Sequence, residues 1–203
     1  MEPFAPGRFA NAIQKNTDAR HALQVIRGDA TSSFVLDLAP DGSATICRGW
    51  RSLFFNDGPQ VHTSEQTREQ LGYRGRWTRR GDAVDVDVRL ADDVCARVGQ
   101  YSHLVPDHAA EWRLRCLLVA PRPHGALAVP ALVCRSSNAQ PVFGEDEPHV
   151  VEGILPGPWL ILGPGDGLRI KIDATSVTGD RPPAVHLEPS RDRIGADAWQ
   201  TAF

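Results

Sequence analysis

Ala83-Val84-Asp85-Val86-Asp87-Val88-Arg89-Leu90 is the stretch that decides the fold class. Its apolar residues Val84, Val86, Val88 and Leu90 fall on every second position, and Asp85, Asp87 and Arg89 occupy the places between. A period of two sends the two sets to opposite faces of a strand. One face is dry and the other charged. An antiparallel sheet with a solvated side needs that pattern, whereas a strand buried in a parallel sheet does not.

The same signal recurs on both sides. Upstream, Gly72–Trp77 joins this strand through the turn Thr78-Arg79-Arg80-Gly81-Asp82. Downstream, Glu111–Val119 alternates again, with Trp112, Leu114, Cys116 and Leu118 on its inner side. Phe34–Leu38, Ser43–Phe55, Ala126–Arg135, Trp159–Leu162 and Leu168–Ile172 complete a set of eight strand-like segments. Pro130 in the sixth marks an edge or a bulge, and a shift of alternation between Trp50 and Leu53 suggests a bulge in the second.

Connections between these segments alternate in length. Residues 39–42, 78–82, 121–125 and 163–167 are compact and rich in Gly, Pro and Asp, whereas 56–71, 91–110 and 136–157 are long. In an up-and-down meander every second connection lies at the same end. One end is therefore closed by tight turns, and three long loops dress the other. No helical pattern separates the strands, which disfavours βαβ folds.

The expected fold is all-β: an antiparallel up-and-down eight-stranded barrel spanning 31–173. A short helical or irregular lead-in (1–30) precedes it, and an irregular C-terminal extension (174–203) packs on it. A two-sheet sandwich is the main rival. In the lead-in, Phe9 and Ile13 are four apart, as are Ala22 and Ile26, and Asp18 is placed to cap a helix reaching about Arg27. Ser64–Gln70 reads as a helical turn, Val94–Val98 as a short extra strand, Val185–Leu187 as another, and Ala196–Phe203 as a docked turn.

The totals fit one globular domain of 203 residues, with 41% hydrophobic and 23% charged residues. Twenty-two basic residues face 25 acidic ones, a net charge of -3 with no segment of one sign, so a general nucleic-acid binder is not expected. Residues 1–16 are too polar for a signal peptide, and no apolar run approaches the roughly 20 residues of a membrane span. A cytoplasmic setting is expected. Cys47, Cys95, Cys116 and Cys134 have no CxxC spacing. In a reducing compartment they read as small buried apolar residues, not as a zinc site.

The pattern from Phe34 to Ile172 resembles the lipocalin-like (calycin) barrels: eight meandering strands, a tryptophan-bearing strand, a short-turn end and a loop-rich end. Gly75-Arg76-Trp77 matches the family's Gly-x-Trp motif but falls on the third strand, where the family has it on the first. The resemblance implies a lumen that takes a small apolar molecule. A few similar bacterial barrels catalyse cyclisations, as spirotetronate cyclases do.

An eight-stranded barrel has room inside for side chains or one small ligand. The inward set expected is Phe34, Leu36, Leu38, Ile46, Trp50, Tyr73, Trp77, Val84, Val86, Val88, Trp112, Leu114, Leu118, Leu168 and Ile170. This lining suits a small apolar or aromatic molecule, with Arg48, Trp50, Trp77, Trp112 and His149 as ligand contacts. The plain alternative is that the same residues only fill the barrel. Arg48 keeps the register of Ile46 and Trp50, so it points inward unless a bulge precedes it. His62, His103, His108 and His149 fall in the long connections, together with Tyr101, Asp107 and Glu145–Glu147. Tyr73, Tyr101 and His103 are therefore the catalytic candidates for a cyclase- or isomerase-type reaction, polarising a carbonyl. Solvated loop histidines are the plainer reading. No metal site or cofactor is expected: His103–His108 matches no ligand motif, and Gly144–His149 lacks the ligand spacing of a calcium loop. A protein-interaction module with a solid barrel is the third reading.

Overall fold

The computed structural model describes residues 5–21, 24–58, 61–96, 98–99, 110–120, 130–136, 160–172 and 185–201. Its strands are β1 (Arg8–His21), β2 (Gln24–Leu38), β3 (Ser43–Gly58), β4 (Val61–Arg80), β5 (Ala83–Leu90), β6 (Val98–Gly99), β7 (Glu111–Val119), β8 (Ala131–Ser136), β9 (Leu160–Pro164), β10 (Leu168–Ile172) and β11 (Val185–Pro189). A short helix, α1, spans Ala198–Thr201. Among the described residues, no helix is long and apolar enough to cross a membrane.

Strands β1, β2, β3, β4, β5, β7, β8 and β9 pair in that order, every pair antiparallel, and β9 pairs back with β1 at Phe9↔Pro164 and Ala10↔Gly163. The ring is closed. Closure removes the exposed edges that an open sheet would leave. Where β1 and β9 part, the buried Asn11 side chain donates from Nδ2 to the Ile161 carbonyl, 2.8 Å away, and continues the seam.

The membership of the ring corrects the sequence reading in one respect. The lead-in, expected to be helical or irregular, is strand: β1 runs through Phe9 and Ile13 and pairs with β2 along its whole length. A spacing of four satisfies a strand's period of two as well as a helix's 3.6, so that pair of residues could not discriminate. β1 takes the eighth place in the ring. Leu168–Ile172, expected there, instead forms β10, which lies parallel to β1 and pairs with β11 on its other side.

The second correction concerns the first long connection. Residues 56–71, expected as a polar loop with a helical turn, belong to the β3–β4 ladder, which runs without a break from Ser43↔Arg76 to Gly58↔Val61. No bulge separates Trp50 from Leu53. Cross-strand hydrogen bonds satisfy a polar backbone as well as water does, so polarity alone did not exclude a strand.

These changes make the wall uneven. β1 to β4 have 14, 15, 16 and 20 residues, whereas β5, β7, β8 and β9 have 8, 9, 6 and 5. β5 covers only Tyr73–Arg80 of β4. Beyond Tyr73 the closed ring gives way to a taller four-stranded wall. Tight turns close the opposite end at residues 39–42, 81–82 and 165–167.

The ring is filled. Phe9, Phe34, Leu36, Leu38, Ala44 and Ile46, with Leu71, Tyr73, Val84, Val86, Val88 and Trp112, join Leu114, Cys116, Leu132, Cys134, Leu160 and Leu162 in one buried cluster. At the closed end the half-buried Trp77 packs on it, its Nε1–H donating to the Ala39 carbonyl at 2.8 Å. Gly75 is required where β4 meets β5, because a Cβ there would overlap the Asp87 carbonyl. Leu168 and Ile170, expected inward, are buried in a second core instead, with Ile13, Val133 and Ile161. Leu118, also expected inward, is 42% exposed at the end of its strand.

The cysteines correct a further expectation, because they form two disulfides. Cys116–Cys134 bridges directly opposed residues of β7 and β8 within the core, and Cys47–Cys95 ties β3 to the segment after β5.

Candidate functional site

The site begins with the pleat of β3 and β4. Ile46 and Tyr73 are opposed and lie in the core, so the same-face pairs above them are Arg48↔Leu71 and Trp50↔Glu69. On β2, the matching positions are Leu36, Phe34 and Ser32. Climbing this face, the lining changes from fully buried aliphatics to Ser32, Arg48, Trp50 and Glu69, all of intermediate exposure. The change falls at the level of Tyr73↔Leu90, where the β4–β5 ladder ends. These side chains therefore form a rim around the mouth of the closed ring.

Two contacts organise the rim. The Arg48 guanidinium lies over the Trp112 ring, 5.5 Å from its centroid. A cation over an indole face is held by the ring quadrupole. The Trp50 indole N–H donates to Glu69 Oε2 at 3.0 Å, which fixes that ring beside a carboxylate. Trp112 is the floor beneath Arg48. It packs 6.0 Å from the Phe34 ring and 6.0 Å, edge to face, from the Tyr73 ring. Aromatic rings in these tilted arrangements are rigid and already desolvated.

Of the residues singled out from sequence, Arg48, Trp50 and Trp112 meet at this rim. Tyr73 lies below them at 0% exposure, packed on Trp112. Trp77 is at the far, closed end and bonds a turn carbonyl, so it does not share the site. Tyr101, His103 and His149 lie outside the described residues, as do His108, Asp107 and Glu145–Glu147. Sequence reasoning missed Ser32 and Glu69. Glu69 was hidden because its segment read as a loop; only the ladder register places it opposite Trp50.

Among the described residues, no three His, Cys, Asp or Glu side chains converge as metal ligands. An open groove of about 590 Å3 runs along β4, β5 and β7 and reaches Trp112, with Arg74, Arg76, Arg89 and Arg113 beside Asp87 and Glu111. Exposed ion pairs run along it, Arg74 with Asp93 at 2.8 Å and Arg113 with Glu111 at 3.2 Å. Such pairs contribute about 0 to 1 kcal/mol each and mark a solvated sheet face. No protein-family model, curated protein or solved structure matches this chain.

Proposed function

We propose that this protein is a lipocalin-like binder that takes a small apolar or aromatic molecule at the mouth of its barrel. The observation that carries this reading is Arg48 held over Trp112 at the rim, at intermediate exposure, above the buried core cluster of the described residues. A ligand would rest its apolar body between Trp50 and the tall wall of β1 to β4. An anionic group on it would pair with the Arg48 guanidinium, whose fork of donors suits oxyanions such as carboxylate, phosphate or sulfonate. The filled ring argues for a site at the rim rather than deep in the lumen. Of the three catalytic candidates Tyr73 alone is described, and at 0% exposure it lies too deep to touch a molecule that enters there.

The two disulfides favour an oxidising compartment over the cytoplasm, since thiols in the cytoplasm are kept reduced.

The test uses 8-anilinonaphthalene-1-sulfonate, an aromatic anion of the expected chemistry, followed by its emission and by quenching of protein tryptophan. Saturable one-site binding is expected. Arg48→Met should weaken it about tenfold, roughly 1.4 kcal/mol, with Trp50→Ala weakening it comparably. Binding that does not saturate, or that ignores both substitutions, overturns the reading.

The same filled core also supports a second reading, a solid module whose tall β1–β4 wall contacts another protein. Aromatic-anion binding that fails while the fold is intact would favour it.

A further inference from the structure

We infer that Trp199, on the outside of the barrel, is a positioning residue for the rim site on the inside. The inference rests on the binding reading above and names a residue that acts through two strands rather than by contact with the ligand.

Alternation along a strand means that each rim residue has neighbours on the opposite face. Gly49 lies between Arg48 and Trp50, and Gln70 lies between Glu69 and Leu71; the two are directly opposed in the β3–β4 ladder. Trp199 occupies the outer face at this point. A Cβ on Gly49 would fall inside the Trp199 indole, so the ring rests directly against the β3 backbone between the two rim side chains. Only glycine permits that approach.

The contact is specific. The Trp199 Nε1–H donates to Gln70 Oε1 at 2.7 Å, and Gln70 Nε2 donates to the Ala96 carbonyl at 2.8 Å. Gln70 is 4% exposed and Trp199 2%. Thr31, next to rim residue Ser32, donates from Oγ1 to the Trp199 carbonyl at 2.8 Å. One residue thus braces β2, β3 and β4 from behind, at the level where their inner faces carry Ser32, Arg48, Trp50 and Glu69. No β5 pairing supports β4 above Tyr73. Among the described residues, β4 is met there on that side by the two-residue β6 at Glu69 and Gln70 and by the segment after β5, whose Ala91 N–H donates to the Gly72 carbonyl at 2.8 Å. Outer bracing is what fixes the spacing of the inner pairs there.

Removing the indole should loosen the Arg48–Trp50–Glu69 geometry, and a ligand that needs this geometry should in turn favour the docked C-terminal segment. Linkage makes the two effects reciprocal.

The experiment compares Trp199→Ala and Trp199→Phe with Ile194→Ala in the full chain. Ile194 is buried in the same C-terminal segment but packs on Ala10, Ala12 and Val35, away from Gly49. Affinity for 8-anilinonaphthalene-1-sulfonate is read beside Tm, and the Trp50 indole N–H resonance is read without ligand. Trp199→Ala should lower affinity at least fivefold and shift the Trp50 resonance. Trp199→Phe, which keeps a ring but loses the bond to Gln70, should fall between it and the unsubstituted protein. Free indole, refilling the slot over Gly49, should restore both readouts in Trp199→Ala. Ile194→Ala should lower Tm but leave both unchanged. Unsubstituted affinity and an unmoved Trp50 resonance in Trp199→Ala would sink the inference and leave the binding reading standing. Equal losses in Ile194→Ala would reduce Trp199 to a structural anchor. Failure of the unsubstituted protein to bind the probe would remove the binding reading and the inference together.

Discussion

The lower ring and the upper rim are built on the same strands, yet they obey different rules. Below Tyr73, eight short stretches of strand close on themselves, and the described inward side chains pack into one largely apolar buried cluster, with Trp77 half-buried at its closed end. Above Tyr73, the inward positions on β2, β3 and β4 become Ser32, Arg48, Trp50 and Glu69, none of them fully buried. The outer face reverses too, because buried Thr31, Ser33, Gln70 and Trp199 lie behind the rim. The difference is one of purpose. Filling a ring maximises burial, whereas arraying charges and indoles at a mouth forgoes some burial to present directed groups.

That contrast makes the ring the place where substitution costs most. Leu36→Ala, at a position with 0% exposure in the main core, should lower the unfolding free energy by about 2 to 5 kcal/mol, as large-to-small core changes do. Urea denaturation measures it. Affinity for the aromatic anion should stay unchanged for the population that remains folded. A loss below about 1 kcal/mol would mean that the ring is looser than its burial indicates.

The seam comes next. Asn11→Leu removes the donor to the Ile161 carbonyl where β1 and β9 diverge. Leaving a buried acceptor short of a partner costs about 1 to 3 kcal/mol. Amide exchange should accelerate in 160–163 before it does so in β3. Uniform acceleration would show that closure does not depend on this side chain.

The two regions also differed in how plainly the sequence announced them. Val84–Leu90 displays the ring's alternation directly, and the meander order of its neighbours followed from turn residues such as Gly81 and Asp82. The tall wall was far less legible. Arg8–His21 and Asn56–Leu71 lack a clean alternation of apolar residues, so neither displayed a strand's period of two as Val84–Leu90 does. Arg48 could be placed inward from its register with Ile46, but Glu69 could not be found without the partner strand. The braces were invisible for the same reason: Gly49 and Trp199 are 150 residues apart, and a glycine in a strand reveals only that something approaches closely. The cysteine pairs were missed because the compartment was read as reducing, and because cross-strand neighbours such as Cys116 and Cys134 are set by sheet register and not by sequence distance.

Rim substitutions should barely register in stability. Arg48→Met exchanges a stacked guanidinium for a thioether of similar reach, so the cost should be about 0.5 to 1 kcal/mol, the worth of an exposed cation–π contact. Its effect on aromatic-anion binding should exceed its effect on unfolding. Chemical denaturation and the binding titration on one preparation give both numbers. A stability loss as large as that of Leu36→Ala would assign Arg48 to the core and erase the distinction between the two regions.

The smallest effect belongs to the closed end. In the turn between β2 and β3, Asp41 Oδ1 accepts from the Ser43 hydroxyl at 2.6 Å and from the Ser43 backbone N–H at 2.9 Å. These bonds, the hydroxyl first, hold the Asp41 carboxyl below its usual value of 3.8. A depressed carboxylate favours the folded state above its unfolded pKa, and the benefit fades as pH falls through the lower folded value. The turn should therefore lose support only under acid conditions, below about pH 4. Asp41→Asn should flatten that part of the pH–stability curve without altering the plateau slope near neutrality, because the group is exposed and its bonds compete with water. A difference between the two proteins that grew as pH rose from 5 to 8 would contradict the assignment.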